Sequence, residues 1–164
     1  MNFYLILVLS LTICIPAVIG LIRINKISEA YYPFIIYIWV GAVNEIIGTI
    51  FIYSQHSNIV SLNVYLLIES LLLLWQFVRW RLFNGQSYFV PLIAAVLLLI
   101  WATENFAFFS ITRYDSYFTI CYSAVFTFMS ISSINKLIVT ERKMLVKNPQ
   151  FIICSAFILY FTMV

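Results

Sequence analysis

YPFIIYIWVGAVNEIIGTIFIY, residues 32–53, is followed by SQHSNIVS, residues 54–61, and then by LNVYLLIESLLLLWQFV, residues 62–78. Two apolar runs around a short polar turn read as a helical hairpin, because crossing about 30 Å of hydrocarbon as a helix takes about 20 mostly apolar residues. Tyr31, Tyr32 and Pro33 mark the start of the first run, since aromatics favour the membrane interface and proline is tolerated in a first helical turn. Arg79, Trp80 and Arg81 close the second run with cationic and aromatic anchors. Each run carries one glutamate, Glu45 and Glu69, and the turn holds the chain's one histidine, His56.

Outward from this hairpin the chain keeps the same character. Hydrophobic residues make up 64% of it and charged residues 9%, with a mean hydropathy of +1.04. Soluble domains carry about 25% charged residues, so there is too little polar surface here to coat one. The pattern predicts an all-α integral membrane protein, a polytopic bundle of about six transmembrane helices near residues 3–22, 32–53, 62–78, 88–103, 116–139 and 149–164. Four glycines and four prolines leave little room for linkers, and no internal repeat is present, so residues 1–164 are expected to form a single transmembrane domain. A cell membrane is the expected location, the inner membrane if the source is bacterial, and the lipid bilayer is the expected partner.

Three segments need separate readings. At the amino terminus, Arg23 and Lys26 follow the apolar run instead of preceding it, which fits a retained helix better than a cleaved signal. The connection ENFAFFSITRYD, residues 104–115, is too apolar for a free loop and too interrupted for a span, and is expected to lie on the membrane surface or fold over helix ends. The last run covers only about 21 Å from Phe151 onward, so it is expected either to tilt into a thinned region or to continue in a longer chain.

Charge sets the orientation. Arg23, Lys26, Arg79, Arg81, Lys136, Arg142, Lys143 and Lys147 follow the first, third and fifth runs, whereas the connections after the second and fourth hold only Arg113. With Lys and Arg kept cytoplasmic, the amino terminus and the connections around His56 and Ser110 are expected outside. The same clustering accounts for the net charge of +3, so no nucleic-acid partner is implied. Cys14, Cys121 and Cys154 stand alone in apolar runs, without the spacing of a metal site.

The candidate site is built on the two glutamates. Counted from the turn, Glu45 lies about 12 Å and Glu69 about 10 Å into the bilayer, which predicts carboxyls at nearly equal depth on neighbouring antiparallel helices. An isolated carboxylate in hydrocarbon is costly, so the pair is expected to share a proton, hold a cation or face a wet cavity. Gly41, Glu45, Gly48 and Thr49 share one face, where the small residues Gly41 and Gly48 allow close helix packing. Asn44, Tyr65, Glu104 and His56 complete the expected ligand- or ion-binding set, and Thr119, Ser123, Thr127, Ser130 and Ser133 form a hydroxyl stripe on the fifth run.

No nucleophile elbow, zinc-protease, phosphate-loop or dinucleotide motif occurs, and no cofactor is implied. The residues therefore favour a non-enzymatic transport, channel or sensing component with an outward-facing carboxylate site. An intramembrane enzyme acting on lipid through the glutamates and a structural subunit of a membrane complex are the alternatives. Because six short-looped helices make a thin bundle, a homo-oligomer or a larger complex is expected.

Overall fold

The computed structural model describes residues 12–54, 57–83, 88–108, 111–140 and 145–163, all in helices or the turns that join them. The helices are α1 (Cys14–Ile22), α2 (Tyr32–Tyr53), α3 (Ile59–Arg79), α4 (Phe89–Ala102), α5 (Ser116–Thr140) and α6 (Pro149–Met163). Four of these stretches are long and apolar enough to cross a membrane: 29–53, 59–79, 89–108 and 116–140. The first described helix begins at Cys14, after a turn at Thr12 and Ile13, and not within one continuous helix over 3–22 as the apolar run reads; residues 1–11 and His56 lie outside the described residues.

The α2–α3 hairpin and the α5–α6 hairpin form the closest helix pairs, and α4 joins them by packing on both α3 and α5. α3 and α5 are the most enclosed helices. Their shared core is aromatic: Phe77 stacks on Phe126 at 6.1 Å, Phe126 on Phe161 at 5.8 Å, and Tyr122 meets Phe161 edge-on at 5.5 Å. Rings bury much area with few rotatable bonds, which suits an interior where helix association depends on van der Waals contact. The outward faces, among them Ile50, Leu99, Phe128 and Val139, are apolar and exposed.

Two further boundaries differ from the sequence reading. α3 begins at Ile59, three residues before Leu62, because the Ser57 hydroxyl accepts the Ile59 N–H at 3.3 Å and the Leu62 N–H reaches the Asn58 carbonyl at 3.0 Å. Residues 59–61 of the polar stretch are therefore helix. α4 runs on through Thr103–Phe108 as a π-helical turn, so the first part of the 104–115 connection is helical. The wider turn swings Glu104 and Asn105 into the interior and leaves Phe106 and Phe108 exposed.

Side chains tie down the starts of two helices. Gln76 on α3 accepts the Phe34 N–H at 2.8 Å and donates to the Ala30 carbonyl at 2.7 Å, holding the first turn of α2. Glu104 accepts the backbone N–H groups of Tyr117 at 3.1 Å and Phe118 at 2.6 Å, holding the first turn of α5. These N–H groups have no partner within their own helix, and a carboxylate also favours the positive end of the helix dipole.

Candidate functional site

The register of α2 against α3 fixes the geometry of the site. Asn44 accepts a hydrogen bond from the Ser61 hydroxyl at 3.0 Å. Added at Gly48, a Cβ would lie 3.4 Å from Asn58 Nδ2, and at Gly41 it would lie 3.3 Å from Tyr65 Oη and 2.9 Å from Ile13 Cδ1. Tyr37 neighbours Glu69, and Ala30 meets Gln76. The same antiparallel offset runs along the whole seam, and it puts Glu45 at the level of Ser61.

That register corrects the expected depth match. Glu45 and Glu69 are separated by the length of α3 from Ser61 to Glu69, two helical turns or about 12 Å. The depth reading placed the start of α3 at Leu62 and let α2 and α3 end at one level. Instead Asn58 folds back onto Gly48, leaving the last turn of α2 beyond the pairing. The two carboxyls consequently do not share one ion directly. Glu45 is half-buried towards the turn, and Glu69 lies deep in the bundle.

Glu69 is fully buried, and neither carboxyl oxygen has a hydrogen-bond partner among the described residues. Four phenols from four helices lie within electrostatic reach of it: Tyr37 on α2, Tyr65 on α3, Tyr122 on α5 and Tyr160 on α6. Tyr37 comes nearest and interacts with the carboxyl, although neither oxygen meets hydrogen-bond distance and angle. The hydroxyls of Tyr122, Ser123 and Ser130 are likewise buried without a partner among the described residues. An ionised carboxylate so placed costs at least about 3 kcal/mol, which a proton, a cation or a rearranged phenol must offset.

The remaining expected residues separate by role. Asn44 and Tyr65 line the seam between the two carboxyl levels, and Gly41 and Gly48 are both buried there. Glu104 belongs elsewhere, with both oxygens engaged at the start of α5. It joins a second polar cluster in which Asn105 donates to Asp115 Oδ2 at 2.7 Å, and Asn63 Nδ2 donates to the carbonyls of Ile111 at 3.1 Å and Arg113 at 2.6 Å. Burial pushes the Asp115 carboxyl above the usual aspartate range, against the lowering effect of the Asn105 bond and with Glu104 adding to the rise. Among the described residues these bonds brace α3, α4 and the start of α5 against one another, while Asn105 Oδ1 is buried without a partner.

Sequence reasoning missed Tyr37 and Tyr160. Their spacing carried a weak signal, because Tyr37 precedes Gly41 by one helical turn and so falls on the glutamate face of α2. Tyr122 and Tyr160 are brought to Glu69 only by the packing of α5 and α6. Among the described residues no three of His, Cys, Asp and Glu come together as a metal site, and the described cysteines are free thiols. A cleft of about 510 Å³ opens at the turn end of the seam, lined by Phe51, Ser57, Val60, Ser61 and Val64. No family model matches the chain, and neither the curated proteins nor the solved structures contain a significant match to it.

Proposed function

We propose that this chain is a multi-pass cell-membrane component of transport or sensing whose exchangeable group is Glu69, loaded with a proton or small cation from the extracytoplasmic side. The observation that carries the proposal is a fully buried carboxyl with both oxygens unpartnered among the described residues, ringed by phenols from four helices. A carboxyl kept only to lock helices together would have its bonds made, as Glu104 does. Phenols that neither neutralise the carboxyl nor bond it firmly leave its charge state free to change. The seam from Glu69 to the turn faces outside in the orientation that the Lys and Arg distribution supports.

Replacing Glu69 with glutamine removes the exchangeable charge and nearly keeps the shape. In liposomes holding a pH-sensitive dye, under an imposed voltage, the wild-type chain is expected to carry protons, and Glu69→Gln to lower that flux by about a hundredfold, as loss of a positioned proton carrier does. The melting temperature should move little. Full flux in the variant with a lowered melting temperature would make Glu69 a structural lock. A wild-type chain with no proton or cation flux would overturn the transport reading.

A further inference from the structure

Three rungs stand along the α2–α3 seam. The outermost holds the half-buried Glu45, with Asn44 bonded to Ser61, and that same Ser61 lines the cleft of about 510 Å³. One turn deeper, the Tyr65 hydroxyl rests against Gly41, where a Cβ would stand 3.3 Å from it. One further turn in, Tyr37 and Glu69 face each other. Tyr65 interacts electrostatically with both glutamates, and the Tyr37 hydroxyl lies beside both the Tyr65 hydroxyl and the Glu69 carboxyl.

The middle rung exists because position 41 is glycine. Ile13 Cδ1, just ahead of α1, stands on its other side, 2.9 Å from where a Cβ would sit, so a side chain at position 41 would meet both Ile13 and the Tyr65 phenol. Among the described residues, that hydroxyl stands between the outer rung and Glu69 along this seam. A phenol is suited to the position, since it both donates and accepts a proton while staying neutral.

We infer that Tyr65 is the gate through which Glu69 exchanges its proton with the extracytoplasmic face, with Glu45 as the entry group ahead of it; this rests on the reading of Glu69 given above. A proton held by the Glu45 carboxyl passes to Tyr65 Oη as Tyr65 releases its own phenolic proton to Tyr37 Oη. In the same step the phenolic proton of Tyr37 passes to the Glu69 carboxylate, so that neither phenol carries a charge. At each acceptor one O–H bond forms as one breaks at its donor. Both phenols end neutral, Glu45 ends as a carboxylate and Glu69 as a carboxylic acid. The reverse sequence unloads the site.

The test follows the carboxylic-acid C=O stretch by infrared spectroscopy of the full chain reconstituted in lipid, during exchange from H2O to D2O. The band lost in Glu69→Gln identifies Glu69. In Tyr65→Phe that band is expected at its wild-type frequency, shifting on deuteration about a hundredfold more slowly, the size expected when a positioned proton donor is removed. Glu45→Gln, at a half-exposed position, should slow it too, and it carries the same test if Tyr65→Phe does not fold. Exchange at the wild-type rate in these variants overturns the gate and leaves Glu69 as the exchangeable group. A purely structural Tyr65 would move the melting temperature alone. If no band disappears in Glu69→Gln, the reading of Glu69 fails, and the gate fails with it.

Discussion

Arg81 holds a backbone conformation that arginine seldom adopts, with φ at 53°. Its position explains the strain. The Leu82 N–H reaches the Phe77 carbonyl at 3.2 Å and the Arg81 N–H reaches the Val78 carbonyl at 2.9 Å, the paired bonds of a helix end that needs one left-handed residue. Glycine would fill that place without the roughly 1 kcal/mol cost of a Cβ there. The Arg81 carbonyl also accepts a bond from Lys136 Nζ on α5, which a glycine would keep. Arg81→Gly is therefore expected to raise stability by about 0.5 to 1 kcal/mol, read as a rise of a few degrees in melting temperature in detergent. A lowered melting temperature would mean that the arginine side chain contributes more than its backbone strain costs.

At the scale of elements, the connection from α4 to α5 is held from a distance by one residue of α3. Asn63 is fully buried, donates to the Ile111 and Arg113 carbonyls and accepts the Asp115 N–H at 3.3 Å. The Trp101 indole adds a bond to the Asn63 carbonyl at 3.0 Å, so α3, α4 and the connection meet at this point. Asn63→Ala removes three side-chain bonds. It is expected to cost about 3 kcal/mol, at about 1 kcal/mol for each bond. Thermal melting measures the loss, and trypsin should cut after Arg113 faster than in the wild type. Unchanged cleavage with an unchanged melt would show that the connection is held by its aromatic residues instead.

For the whole molecule, the decisive quantity is which ends of the helices share a side. The hairpins place Ser57 and Thr112 at connections with little positive charge, and Lys26 and Lys147 at connections rich in it. In a background lacking the native thiols, cysteines at positions 57 and 112 are expected to react with an impermeant reagent added to intact cells. Cysteines at positions 26 and 147 should react only after permeabilisation. Labelling of position 147 from outside would reverse the orientation, and Glu45 would then face the cytoplasm with the gate ahead of Glu69 unchanged.

Hydropathy and punctuation by themselves determined the helical class and most of the limits of the described helices, four of which are long and apolar enough to cross a membrane. α2 spans Tyr32–Tyr53 and α5 begins at Ser116, both as the apolar runs read. These features are local: run length, an early proline and charged anchors act within a few residues of chain. The continuation of α4 to Phe108 was hidden, because its reward is distant, in the N–H groups of α5 that Glu104 reaches. Glu69 stood out in sequence as a carboxyl in hydrocarbon, yet its separation from Glu45 could not be read there. Depth counted from a turn assumes that both helices leave the turn together, whereas the register is decided by Gly41 and Gly48 admitting Tyr65 and Asn58. Tyr65 was legible one turn before Glu69 on the same helix, whereas Tyr37 and Tyr160 were decided only by tertiary structure, since they reach Glu69 through helix packing between residues far apart in the chain.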